Sequence, residues 1–339
     1  MVDYICDLLK KITAIDSPSG NTRNVCNFLK GIAEEWGYHT YYTHKGNLII
    51  EVAGKDQNAL GVAAHVDTLG LMVRSIKDDG TLAITTIGGP SLPTLDGEYC
   101  KIYARNGKVY TGTILSNSPA VHVFKDAGTL ERNCDNMCVK IDEIVKTKDD
   151  VKKLGIENGD YIAYDPKTNI TEKGFIKSRF LDDKLSVAIL FGVLKQLKET
   201  QTVLPHKTYF ILSTYEEVGH GAAWIPNDII EMLAVDMGCI GLDLACSEYD
   251  VSICVKDSNG PYDQMMVDKL VKLAKEQKLN YVTDIYPFYG SDIGAALGGG
   301  NDIRGALIGA GVAASHGMER SHKQAVENTF KLVWSYINQ

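Results

Sequence analysis

No run in these 339 residues approaches the roughly 20 consecutive apolar positions of a membrane-spanning helix, so no membrane partner is expected. A basic cluster is missing too: 35 Lys and Arg stand against 43 Asp and Glu, and a net charge of -8 argues against nucleic acid as a partner. The opening Met1-Val2-Asp3-Tyr4-Ile5-Cys6-Asp7 lacks the positive charge and unbroken apolar core of a secretory leader. The eight cysteines are scattered, and the close pair Cys134 and Cys138 has no second half to complete a zinc knuckle, so reduced thiols in a cytoplasm are expected. Repeats and low-complexity tracts are also absent. What is present, 45% apolar and 23% charged residues, suits one large domain plus a smaller one.

The texture of the chain changes twice. A cap at Asn21 or Thr22 precedes Val25, Phe28, Leu29, Ile32 and Ala33 at helical spacing, and Asn47 to Val52 reads as a strand. Leu60-Gly61-Val62-Ala63-Ala64 is the continuous kind of strand that is buried on both faces, which puts His65 and Asp67 at its end. From about residue 69 to 173, short alternating runs are punctuated by Asp79-Gly80, Gly88-Gly89-Pro90 and Asn106-Gly107, the pattern of hairpins in a small barrel. Beyond it a helix from Asp183 to Lys195, strands at 208–214 and 232–235 and a helix from Tyr262 to Lys278 restore the first pattern. The expected fold is α/β, a catalytic domain of residues 1–68 and 174–339 with a mixed sheet and helices on both faces, interrupted by an all-β barrel domain over 69–173.

Acids and histidines recur at the ends of these elements. In His65-Val66-Asp67 the imidazole can bind a metal while the acid two residues on, on the same side of an extended chain, holds the other ring nitrogen. Taken alone such a pair is more often a satisfied structural histidine. Asp182-Asp183 is either an N-cap with favourable helix-dipole charge or a carboxylate bridging two ions. The adjacent carboxylates of Glu216-Glu217 point different ways, so one can bind a metal while its neighbour reaches the bound water as general base. Asp236 ends an apolar strand, where a lone acid is usually a cap, but its register with the others favours a terminal ligand. His316 and His322 compete for the last place, and the run Gly309-Ala310-Gly311-Val312-Ala313-Ala314 before His316 favours it. Together these are the ligand types of a hydrolytic zinc or cobalt centre with two divalent ions.

With these residues the chain resembles the TET-type metallo-aminopeptidases, the family of glutamyl and deblocking aminopeptidases whose relatives also carry cellulase-like labels. The likeness runs through Asp16-Ser17-Pro18-Ser19-Gly20, the stretch from Ala64 to Val73, Phe180-Leu181-Asp182-Asp183-Lys184, Glu216-Glu217-Val218-Gly219, Val235-Asp236 and Gly290-Ser291-Asp292. It implies a zinc-peptidase-like fold, with His65, Asp182 and Asp236 on or between the metals and Asp67 orienting His65. It further implies Glu216 as catalytic base, Glu217 as ligand, a late histidine as the final ligand and Asp292 as a substrate contact. The chain departs from the family at Thr68, where relatives usually have Glu, and at Gly317-Met318, where Ser-Pro commonly follows the late histidine. The inserted barrel implies homo-oligomers, with dimers building a hollow dodecamer.

The expected activity is therefore removal of N-terminal residues from short peptides by a cytoplasmic enzyme with two divalent ions, Zn or Co, per subunit. Rivals are an amidase, deacylase or carboxypeptidase on the same fold, and an inactive metal-binding assembly protein. A carboxypeptidase should offer an arginine to the terminal carboxylate, and only Arg179 and Arg320 lie in the motifs. A glycosidase would need the acid pairs but not the histidines, and a scaffold has no use for a base such as Glu216.

Overall fold

A computed structural model describes residues 1–339, the side chain of Gln57 excepted. The chain forms two compact units, Met1–Asp67 with Lys167–Gln339, and Thr68–Pro166.

In the smaller unit six antiparallel strands close into a barrel, in the order Gly70–Ile76, Leu82–Ile87, Met137–Ile141, Val109–Ser116, Tyr99–Tyr103, Tyr161–Tyr164. Period-two burial makes it one-sided: along Val109–Ser116 the even-numbered Tyr110, Gly112, Ile114 and Ser116 are buried, and Val73, Ile84, Ile102, Val139 and Ile162 fill the interior with Ile114. Asn106-Gly107 turns the chain between Tyr99–Tyr103 and Val109–Ser116, with Gly107 at φ 84°. The sequence pattern put the return to α/β at about 174. The structure brings it forward, because Asn169–Ile170 and Phe175–Ser178 pair in a small sheet with Glu319–His322 in the larger unit.

The larger unit is built on a mixed sheet. Its centre is four parallel strands side by side, Leu204–Ser213, Gly54–His65, Ile229–Cys239 and Arg304–Val312, with antiparallel strands on both flanks. Strand side chains alternate between two cores: Val62, Ala64, Leu233 and Val235 join one, while Ala63, Met232 and Ala234 join the other. Helices Val2–Thr13, Arg23–Glu35, Leu181–Thr200, Gln264–Glu276 and Lys323–Ile337 supply the first core, and helix Asp292–Gly298 packs Ile293 and Ala296 into the second. Leu181–Thr200 is apolar nearly all round, from Leu185 through Leu194, and is accordingly buried on every side.

Arg304–Val312 is a strand where the sequence suggested only a glycine-rich approach. Its glycines serve contact: a Cβ on Gly309, which pairs with Asp236, would lie 2.3 Å from the Asp236 carbonyl oxygen.

Candidate active site

All four parallel strands end at one place, the usual location of a site in an α/β sheet. His65 is the last residue of its strand, with Asp67 just beyond it, and Asp236 lies near the end of Ile229–Cys239. Glu216 and Glu217 form a single 3-10 turn after Leu204–Ser213. His316 follows Arg304–Val312 in a turn where Ala314 and His316 take left-handed angles, φ 58° and 63°. Asp182 and Asp183 open the buried helix and are joined by a cis peptide bond.

Asp182 is the centre of the arrangement. Its Oδ1 lies 3.0 Å from His65 Nε2 and its Oδ2 lies 3.6 Å from His316 Nε2. Asp236 Oδ2 and Glu216 Oε2 stand 4.0 and 3.7 Å from the same His65 nitrogen, and Glu217 Oε2 stands 3.7 Å from His316. Among the described residues these atoms make two groups able to hold a cation, His65 with Asp182 and Asp236, and Asp182 with Glu217 and His316. They share Asp182, one oxygen facing each histidine.

The groups around this centre hold it by its backbone. Asp67 presents its carbonyl oxygen to His65 Nδ1 at 3.0 Å, with its carboxylate farther off at 3.6 Å. That carboxylate accepts hydrogen bonds from Ser19 Oγ at 2.6 Å and from the Glu216 and Glu217 amides at 3.1 and 3.3 Å, so Asp67 fixes the acid pair as well as the imidazole. Asp183 Oδ2 accepts from the His65 amide. Glu319, buried, accepts the Asp182 amide on one oxygen and the His316 amide on the other, each at 3.1 Å. In sequence Glu319 is one more acid three places after His316; its bridging task becomes visible only in the fold.

Electrostatics mark the cluster as strained by like charge. Burial, then the neighbouring carboxylates, push Glu216 and Glu217 well above the usual range despite opposition from His65, and Asp236 is pushed up to about 7 by burial and by Asp182. Burial is the largest influence on Asp182 and His65 too and works against charge on both, but their mutual hydrogen bond together with the charged groups around them overcomes it, lowering the acid and raising the imidazole. Glu217 Oε1 and Asp183 Oδ1 are buried without a hydrogen-bond partner. Four carboxylates facing two imidazoles, with a buried oxygen unsatisfied, fit divalent cations: positive charge would reverse the repulsion, and carboxylate with imidazole is a donor set such ions accept.

The cluster opens on a cavity of about 640 Å³, whose lining also carries Asn259, Phe288, Tyr289 and Ser291 and the glycine-lined face of helix Asp292–Gly298. Asp292 faces away from it: buried, it accepts Ser213 Oγ at 2.6 Å and the Ala222 amide at 2.8 Å, anchoring the chain after the acid pair. His322 also lies elsewhere, capping helix Lys323–Ile337 through Gln324 N at 3.1 Å and bonding Lys173 O at 2.8 Å. Buried Thr68 donates only to the neighbouring Leu69 carbonyl. Neither Arg179 nor Arg320 lines the cavity, and Arg320 Nε is held 2.7 Å from Glu248.

Residues 46–332 match the family described as M42 glutamyl aminopeptidase. The chain belongs to that family. It is a peptide-bond hydrolase, and M42 enzymes are metallopeptidases. The Bacillus subtilis (strain 168) protein named "Putative aminopeptidase YhfE" is 47% identical over 333 residues, 98% of this chain and 96% of its own. The TET aminopeptidase of Thaumarchaeota archaeon SCGC AB-539-E09 shares the fold at TM-score 0.89 and 19% identity, covering 99% of this chain and 97% of the other. The Pyrococcus horikoshii TET1 peptidase does so at TM-score 0.87 and 21% identity over 99% of each.

Proposed function

We propose that this M42 member is an aminopeptidase for short peptides that works with two divalent cations, zinc or cobalt, held by His65, Asp182 and Asp236 on one side and Asp182, Glu217 and His316 on the other. One observation carries the reading: Asp182 turns a separate carboxylate oxygen toward each of two histidines. When bound, the cations would polarise the peptide carbonyl and lower the pKa of a bound water toward roughly 7.

The residues divide the remaining work. Glu216 Oε takes the proton of the attacking water and later delivers it to the departing nitrogen, the general acid–base role. Asp67, through the amides of Glu216 and Glu217, keeps base and ligand in register with His65. Glu319 does the same for Asp182 and His316. In place of a substrate contact, Asp292 is assigned to anchoring the chain at Ala222. The carboxylate-lined end of the cavity suits a free α-amino group, which confines cleavage to the first peptide bond. The lack of an arginine in the lining disfavours a carboxypeptidase.

The Pyrococcus horikoshii TET1 peptidase is described as assembling into a tetrahedron or a large octahedral shell, and a TET1 structure as a dodecamer. By that likeness the barrel unit is assigned to subunit contacts in dimers that build a dodecamer; the cytoplasmic location is proposed separately, from the scattered cysteines. A single experiment tests the reading: strip the protein of cations, reload it with zinc or cobalt, count ions per chain and screen aminoacyl p-nitroanilides. Two ions per chain with release of p-nitroaniline is expected. Binding without hydrolysis would leave the scaffold alternative, and cleavage of N-blocked substrates alone would favour the amidase.

A further inference from the structure

Negative charge appears on the carbonyl oxygen during the reaction, and a hydrogen-bond donor there would add to what bound cations supply, yet apart from His316 the reacting end of the cavity is lined by the carboxylates of Asp182, Glu216, Glu217 and Asp236. Tyr289 adds a donor beside these carboxylates. Its hydroxyl oxygen is buried without a hydrogen-bond partner, and the residue lines the same cavity. The phenol is near enough to Asp236 for a hydrogen-bonding interaction to draw that acid down against burial, while the hydroxyl makes no full hydrogen bond of its own.

The rest of the residue is fixed. Its amide donates to Ser258 Oγ at 3.0 Å and its carbonyl accepts the Ser258 amide at 3.0 Å. Its ring stands edge-on to Tyr286 at 5.1 Å, and Tyr286 is itself fully buried with its hydroxyl 2.6 Å from Ser252 Oγ. The other hydroxyl in that lining, Ser291 Oγ, is already engaged with Tyr262 at 2.8 Å and with the Ile293 amide. A buried donor left unbonded is costly, so a fold that holds one rigidly toward a cavity gains when a ligand supplies the acceptor.

We propose that Tyr289 is a catalytic residue of the aminopeptidase reaction, donating its hydroxyl hydrogen bond to the oxygen of the scissile carbonyl as that oxygen becomes an alkoxide. The proposal rests on the aminopeptidase reading of the site. The water oxygen bonds to the carbonyl carbon while its proton passes to Glu216, and the carbonyl π pair moves onto oxygen, where Tyr289 meets it. On collapse the pair re-forms the carbonyl, the C–N bond breaks, and the proton on Glu216 goes to the leaving nitrogen. Tyr289 keeps its own proton throughout.

Tyr289→Phe keeps the ring contact and removes only the donor. In the cation-loaded enzyme we expect kcat on leucine p-nitroanilide to fall about 10²–10³-fold, the usual cost of one oxyanion donor, with KM changed less than about 3-fold. Affinity for an α-aminoalkyl boronic acid, whose tetrahedral adduct resembles the intermediate, should fall in parallel by calorimetry, while affinity for free leucine, cation content and melting temperature stay put. Tyr286→Phe, which removes a hydroxyl outside the cavity lining, should leave the kcat and the boronic-acid affinity unchanged. Unchanged kcat in Tyr289→Phe would overturn the proposal, as would a loss of cations or a lowered melting temperature, which would make Tyr289 a support for Asp236 or for the fold. A wild-type enzyme that cleaves no aminoacyl substrate with any cation would instead sink the underlying reading.

Discussion

Glu216 and Glu217 are neighbours in sequence held by the same Asp67 carboxylate, yet they face different nitrogens, His65 and His316. Substituting each should therefore give different defects. Glu216→Gln should keep its cations and lose turnover by about 10²–10⁴-fold, whereas Glu217→Gln should lose cation content along with rate, both read by metal analysis beside kinetics. The late histidines form a second such contrast. His316→Ala should weaken one cation and most of the activity; His322→Ala should bind both normally and lose about 1 kcal/mol of stability with its helix cap, measured by denaturant melts. A His322→Ala protein short of a cation would reverse the assignment. Residue types at element ends made His65, Asp182, the acid pair, Asp236 and His316 legible as a set. Tyr289 and Glu319 were not, because an unbonded hydroxyl and a carboxylate shared by two distant amides leave no trace in local sequence.

Among elements, the legible ones carry either an unbroken apolar run or a burial pattern of simple period. The strand at 60–64, the barrel hairpins and the buried helix after Asp183 all announced themselves by apolar pattern. Arg304–Val312 did not, since three glycines in nine residues read as loop where they permit close packing. Gly309→Ala tests this directly: its Cβ would press on the Asp236 backbone, not on a movable side chain, so stability should fall by roughly 1–3 kcal/mol and cation affinity with it. Thermal melts with and without cation would show both, and an unaltered melt would mean the two strands separate more easily than their pairing suggests. Phe175–Ser178 escaped for a different reason: besides the local Asn169–Ile170, its pairing partner lies at Glu319–His322, far along the chain.

For the molecule as a whole, the barrel unit leaves and re-enters the larger unit between Asp67 and Lys167 and exposes Tyr99, Val121, Val123 and Ile144, each more than 60% accessible. If it mediates subunit contacts, a chain joined from Asp67 to Lys167 should give a smaller species by light scattering than the intact protein; an intact protein that is monomeric at micromolar concentration would count against the assembly. The same topology governs time. His65 comes from the first of the four parallel strands and His316 follows the last, with the entire barrel unit synthesised in between. Contacts so distant along a chain form late in folding. In refolding with cobalt present, the visible absorbance of the bound ion should rise only after far-ultraviolet dichroism has recovered; absorbance that leads the dichroism would contradict this order. If His316 is the ligand proposed for it, a nascent chain that stops short of it is expected to lack hydrolytic power, and hazard to other peptides would arrive only with the last part of the chain.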